Sequence, residues 1–173
     1  MPKHLQLIQQ KIVNEKSLLQ KVRFWKSENQ KIVFTNGCFD ILHRGHVEYL
    51  AQAADFGTQL VVAINSDSSI KKLNKGKNRP LQDENSRALI MASLSFVAAV
   101  IIFEEDTPLN LIKAIMPDIL IKGGDYDNSI SDSTHKKYIV GSDIVKQNGG
   151  KVEVIQFIEG YSTSKIEEKI RKD

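Results

Sequence analysis

The residues with the greatest chemical reach lie in one stretch, Thr35-Asn36-Gly37-Cys38-Phe39-Asp40-Ile41-Leu42-His43-Arg44-Gly45-His46. With helical geometry begun at His43, the two imidazoles of His43 and His46 share a face. Gly45 between them lets an anion come close to the backbone. Free N–H groups and the positive end of a helix dipole already attract negative charge there. The stretch therefore reads as a phosphate site with two directional donors. Three other readings stand beside it. The histidines could be plain caps or surface residues; Asp40, His43 and His46 could hold zinc; Cys38 could be a nucleophile. No further Cys/His cluster supports a closed metal site, and a lone cysteine after a strand more often packs as a small hydrophobe.

Three more segments carry polar residues of the right kinds. Asn65-Ser66-Asp67 opens a stretch that continues through Lys71, Lys72, Lys75, Lys77 and Arg79-Pro80. Those cations form either a solvated loop or one that closes over a triphosphate. Arg87 follows in a helical pattern, placed either on an exposed face or where it grips a phosphate bidentately. Lys122-Gly123-Gly124-Asp125-Tyr126 permits close backbone approach, with Asp125 free to accept from sugar hydroxyls or to help hold hydrated Mg²⁺. Glu159-Gly160-Tyr161-Ser162-Thr163-Ser164 sets hydroxyls at a helix start, as caps or as a second phosphate cradle.

The elements that must position these segments alternate. An N-terminal helical segment, residues 1–30, shows helix-like spacing of Leu5, Ile8, Ile12, Leu19, Val22 and Trp25. Strands are expected at Lys31–Thr35, Gln59–Ile64, Phe96–Phe103, Ile119–Ile121 and Lys151–Ile158. Helices are expected at Val47–Ala54, Glu84–Leu94, after a Thr107 cap with Pro108 as first helical residue, at Tyr138–Gln147 and at Ser162–Arg171. The strands are continuously apolar, as strands covered on both faces should be. Strand–helix alternation predicts an α/β fold: a doubly wound five-stranded parallel sheet, Rossmann-like, over residues 31–173. Such sheets bind ligands beyond the carboxyl ends of their strands, where the four polar segments fall.

Composition narrows the function. The 173 residues carry a formal net charge of +3, too mild and too dispersed for a nucleic-acid binder. One cysteine cannot form an internal disulfide, and no signal core is present, so a cytoplasmic chain is expected. The longest apolar run, Phe96–Phe103, is far short of the roughly 20 residues a membrane span needs. The polar inventory lacks a carboxylate pair, a serine triad and a Walker lysine loop. It suits nucleotidyl transfer, in which an already ionised phosphate attacks an α-phosphorus and needs alignment and charge stabilisation rather than a strong base. A dinucleotide oxidoreductase is disfavoured, because Asn-Gly-Cys-Phe-Asp replaces Gly-x-Gly-x-x-Gly. A nucleotide-binding module without catalysis stays open.

The residues resemble the nucleotidyltransferases with the His-x-Gly-His signature, here His43-Arg44-Gly45-His46, with the hydroxyl-rich signature at Tyr161-Ser162-Thr163-Ser164. The longer blocks Thr35–His43, Asn65–Asp67, Arg79-Pro80, Phe103–Pro108, Lys122–Tyr126 and Glu159–Thr163 are similar to bacterial D-glycero-β-D-manno-heptose 1-phosphate adenylyltransferases. The resemblance runs in order from about Lys31 to Ile170. It implies transfer of AMP from ATP to the heptose 1-phosphate, with Mg²⁺, giving ADP-heptose and pyrophosphate for lipopolysaccharide or other surface glycans. A glycerol-3-phosphate cytidylyltransferase-like enzyme is the alternative. The resemblance also implies site roles. His43, His46 and Lys72 would be catalytic. Thr35, Asn36, Gly37, Cys38, Phe39, Asp40, Lys122, Gly124, Asp125, Tyr161, Ser162 and Thr163 would join the histidines in binding nucleotide. Asn65, Asp67, Arg79, Arg87 and Asp125 would contact the sugar phosphate. Mg²⁺ would arrive with ATP, without direct protein ligands. Some relatives carry a sugar kinase in front of this domain; this chain looks like the form without one, and a homodimer is expected.

Overall fold

The computed structural model describes residues 3–73 and 79–172; Lys75 and Lys77 lie outside the described residues. In chain order the elements are α1 (His4–Gln9), α2 (Glu15–Ser27), β1 (Ile32–Gly37), α3 (Arg44–Ala54), β2 (Gln59–Asn65), α4 (Asp67–Lys72), α5 (Glu84–Ser93), β3 (Val97–Phe103), α6 (Leu109–Ile115), β4 (Ile119–Gly123), α7 (Ser142–Gln147), β5 (Lys151–Ile155) and α8 (Thr163–Arg171). The five strands form one sheet in the order β3-β2-β1-β4-β5, and every pairing is parallel. This is the expected doubly wound sheet. β1 pairs with both β2 and β4, so the order reverses at β1, and a crevice must open at the carboxyl ends of β1 and β4.

Alternation along β1 explains the two cores. Val33 points to one face, where it packs with Tyr49, Leu50 and Ala53 of α3 and Ala88, Met91 and Ala92 of α5. Ile32 and Phe34 point to the other, against Leu18, Val22 and Trp25 of α2 and Leu111, Ile112 and Ile115 of α6. The N-terminal segment is thus divided between the layers: α2 belongs to this second one, while Ile8 of α1 and Ile12 pack with the α5 side. It breaks into two helices, and between them Ile12 bridges Val100 at the edge of β3. The Val100 carbonyl accepts from Val13 N–H at 2.9 Å, and its N–H donates to the Lys11 carbonyl at 2.8 Å. Edge N–H and C=O groups of β3 are thereby satisfied.

Several expected boundaries move, and four departures have a clear local reason. The stretch after Asn65 folds as helix α4 as far as Lys72, because Ser66 caps it by accepting from Ser69 N–H at 3.1 Å. Pro108 is the cap of α6 and Leu109 its first residue, so the Thr107 cap is displaced by one. The helix expected from Tyr138 begins only at Ser142, since Gly141 adopts a left-handed φ of 82° that no helix continues through. β5 stops at Ile155, not Ile158, which frees Gln156–Ile158 to cross the end of β4.

Candidate active site

The crevice is a cavity of about 850 Å³ at the carboxyl ends of β1, β2 and β4, walled by the starts of α3 and α8. α3 is rooted by Gly45, Tyr49, Leu50 and Ala53, which lie on one stripe and are buried. Its cap is His43, whose Nδ1 accepts from His46 N–H at 3.3 Å. The rings of His43 and His46 stack, with centroids 3.8 Å apart and planes at 21°. Phe39 closes the far side, edge-on to His46 at 5.2 Å. Burial, then the neighbouring His43, push the His46 pKa down to about 4, and the Ile41 carbonyl and Asp40 only partly oppose this. Burial also lowers His43. Both rings are therefore neutral near pH 7, and His46 Nδ1 has no hydrogen-bond partner.

Opposite stands the start of α8, where Ser162 caps the helix by accepting from Lys165 N–H at 3.2 Å. Gly45 lets the two helix starts meet: a Cβ there would lie 3.1 Å from two atoms of the His43 ring and 3.3 Å from Tyr161 Cβ. Arg44 donates to the Tyr161 hydroxyl at 3.2 Å and lies over its ring. Between the helices, the buried Lys122 donates to Asn36 Oδ1 at 2.6 Å and sits 5.0 Å above the Tyr126 ring.

Asp40 is 5% exposed and fully engaged. Burial would raise its pKa, but the Gln82 and Leu81 N–H groups and the Arg79 guanidinium outweigh it and hold the carboxylate below its usual range. Arg79 donates to Asp40 and to Glu167 of α8, both at 2.7 Å. With its oxygens taken by these donors, Asp40 is not placed to serve zinc beside the histidines, and no group of three potential metal ligands occurs among the described residues. The Cys38 thiol points at Asn65 Oδ1, 3.8 Å away.

Of the expected site residues, the cavity gathers Asn36, Gly37, Cys38, Phe39, Asp40, His43, His46, Asn65, Arg79, Lys122, Asp125, Tyr161, Ser162 and Thr163. Five others do not line it. Thr35 is fully buried beneath, its hydroxyl 2.7 Å from the Tyr49 hydroxyl. Gly124 turns against Gln156. Lys72 pairs at 3.2 Å with Asp106 at the rim. Arg87, expected to reach a phosphate, is instead fully buried: it donates to the Gln82 and Cys38 carbonyls at 3.0 and 2.8 Å and to Asp67 at 2.7 Å. Asp67 is thereby part of the scaffold behind the β1–α3 loop rather than of the cavity wall.

The cavity also contains residues that motif spacing did not single out. Tyr49 lies mid-helix, with its ring 5.9 Å from Phe157, and burial raises its hydroxyl pKa well above the tyrosine range. Phe157 crosses the end of β4, where any Cβ at Gly123 would overlap its ring. Asp106, Thr107 and Pro108, from the Phe103–Pro108 block already noted in the sequence, complete the wall beyond β3. Phe157 follows an apolar strand, and only Gly123 hints at a ring crossing β4.

Comparison with known proteins gives consistent neighbours. The cytidylyltransferase-like family matches residues 34–169. The bifunctional protein HldE of Wolinella succinogenes is 46% identical over 163 residues, covering 94% of this chain and 32% of that protein. HldE of Campylobacter jejuni subsp. doylei is 50% identical over 163 residues, again 94% of this chain and 32% of that protein. This chain thus spans about a third of the length of these curated relatives. Among solved structures, a lipopolysaccharide core biosynthesis protein from Thermoplasma volcanium has a TM-score of 0.57 at 28% identity, over 77% of this chain and 99% of that one. A pantoate-beta-alanine ligase from Francisella tularensis, with a TM-score of 0.56 at 15% identity over 94% of this chain and 78% of that one, shares the fold. Among the described residues no helix is long and apolar enough to cross a membrane.

Proposed function

Because the chain belongs to the cytidylyltransferase-like family, we propose that it transfers AMP from ATP to D-glycero-β-D-manno-heptose 1-phosphate. One observation carries the reading: the starts of α3 and α8 face one cavity, and two stacked neutral histidines and a buried lysine sit between them. Helix N-termini bind phosphate through free N–H groups and their dipoles. A triphosphate laid from α3 to α8 would meet the His43 and His46 rings, Lys122, and the Ser162 and Thr163 hydroxyls.

The chemistry follows from these groups. An oxygen of the sugar 1-phosphate attacks the α-phosphorus; the new P–O bond forms as the bond to the β-phosphate bridging oxygen breaks, and pyrophosphate leaves. The attacking oxygen is already ionised, so the histidines serve as donors, not bases. Neutral imidazole N–H groups aimed at the α- and β-phosphates stabilise charge that grows on the equatorial and leaving oxygens. Lys122 adds a fixed positive charge, and Lys72 is placed to swing from Asp106 toward the phosphates. Asp125 is the wall carboxylate suited to hold hydrated Mg²⁺ brought by ATP, which would supply further charge neutralisation. The sugar lies toward Asn65 and Asp106–Pro108, beyond β2 and β3.

The product class, an ADP-sugar for surface glycan assembly in the cytoplasm, rests on the ordered sequence blocks and is supported by the HldE relatives. The test is pyrophosphate release with ATP, Mg²⁺ and a panel of sugar phosphates. Turnover with heptose 1-phosphate supports the reading; turnover only with CTP and glycerol 3-phosphate favours the cytidylyltransferase alternative that the family description leaves open.

A further inference from the structure

We infer that Arg79 is a positioning residue: it locks α8 to the β1–α3 loop and so sets the spacing of the two phosphate-binding helix starts. This rests on the nucleotidyl-transfer reading above. The two helix starts are anchored very differently. α3 buries Gly45, Tyr49, Leu50 and Ala53 in the core, whereas α8 buries no residue at all. Packing therefore fixes the histidines but leaves the Ser162–Thr163 end to be held by polar contacts.

Among the described residues, two such contacts link α8 and the residue before its cap to the rest of the site. The Arg44–Tyr161 contact is exposed at Arg44, where water screens it and weakens its hold. The Arg79 bridge is different. The Arg79 side chain is 12% exposed, and its two arms reach Asp40, 5% exposed, and Glu167, 22% exposed, at 2.7 Å each. One planar fork thus ties the loop carrying the histidines to the middle of α8. The Asp40 end is itself immobile, since the Leu81 and Gln82 N–H groups hold the same carboxylate at 2.9 Å. Gln82 is in turn pinned through its carbonyl by the buried Arg87. Both terminal nitrogens of the Arg79 guanidinium already donate to carboxylates. Its influence on nucleotide binding runs through Glu167 and the pitch of α8.

Glu167 is outside the cavity, so Glu167→Gln separates this role from direct contact. The experiment compares wild type, Glu167→Gln and Arg79→Lys by calorimetry with ATP, by Michaelis constants for ATP and sugar phosphate, and by amide exchange over Thr163–Arg171. The expected result is that both variants bind ATP about fivefold to tenfold more weakly, by loss of preorganisation. Exchange in α8 should quicken while the sugar-phosphate KM stays within about twofold. Unchanged ATP affinity and unchanged α8 exchange in Glu167→Gln would overturn the inference. So would a raised sugar-phosphate KM in Arg79→Lys with Glu167→Gln silent, which would make Arg79 a substrate ligand. Wild-type protein that neither binds nor turns over ATP would refute the functional reading, while α8 exchange still reports whether the bridge holds the helix.

Discussion

His43 and His46 stack at 3.8 Å on the first turn of α3, where burial lowers both imidazoles and the His43 ring further disfavours a proton on His46. Two cations at that separation repel, and burial already disfavours the charged form. The pair is thus a neutral donor surface, and its consequences can be measured.

His46→Ala should lower kcat about 10²-fold or more, by analogy with deleting a transition-state hydrogen-bond donor. ATP affinity should fall much less, because the ring acts mainly on charge that develops in the reaction. Steady-state pyrophosphate release beside calorimetric ATP binding separates the two effects. Unchanged kcat in folded protein would remove His46 from the mechanism.

The same lowered pKa makes stability depend on pH. Between about 6.5 and about 4, the unfolded chain binds a proton on His46 that the folded chain resists. Stability should therefore fall as pH drops through this window, by on the order of 2–3 kcal/mol in all, with His43 acting in the same direction. Asp40, held below the usual carboxylate range, is a later loss, appearing only as pH falls through its own lower pKa. Urea melts across the window should show a shallower slope for His46→Gln than for wild type. Equal slopes would show that the ring is not protected from protonation.

Gly45→Ala should separate stability from activity. The new methyl would sit 3.1 Å from His43 ring atoms and 3.3 Å from Tyr161 Cβ, forcing apart the two helix starts. Alanine also favours the helix by about 1 kcal/mol over glycine, which offsets the crowding. Thermal melts should move little while kcat/KM for ATP falls at least about tenfold, on the sensitivity of transfer to misplacement. Wild-type kinetics would show that the helix starts need not touch.

Arg87→Met should be a stability mutant. It strips donors from the Cys38 and Gln82 carbonyls and leaves Asp67 without its partner. Each buried carbonyl left without a donor costs about 1–3 kcal/mol, while Asp67, 31% exposed, is partly relieved by water. Chemical denaturation should report that loss. A large rise in sugar-phosphate KM with full stability would instead place Arg87 at the substrate.

What could be read from the chain divides by the range of the interactions. Strand order aside, β1, the His43–His46 start of α3 and the Ser162 cap of α8 were legible, because each rests on neighbours within a few residues. Helix α4 was missed because Ser66, Asp67, Ser68 and Ser69 are turn formers until Ser66 is seen to cap. The roles of Arg79 and Arg87 were beyond reach of spacing: Arg79 finds partners 39 and 88 residues away, and Arg87 is pinned by a carbonyl 49 residues away. Tyr49 and Phe157 resemble ordinary core residues in the sequence, and only the parallel sheet brings the segment after β5 onto α3.

The central claim is that this cavity moves the α-phosphate of ATP onto a sugar phosphate. ATP labelled at the α-phosphorus, incubated with the protein, Mg²⁺ and heptose 1-phosphate, tests it most directly. The label should appear in a sugar nucleotide, with the β- and γ-phosphates recovered as pyrophosphate. Label that stays in ATP across the whole sugar-phosphate panel, with ATP bound, would contradict it and leave a nucleotide-binding protein without transfer.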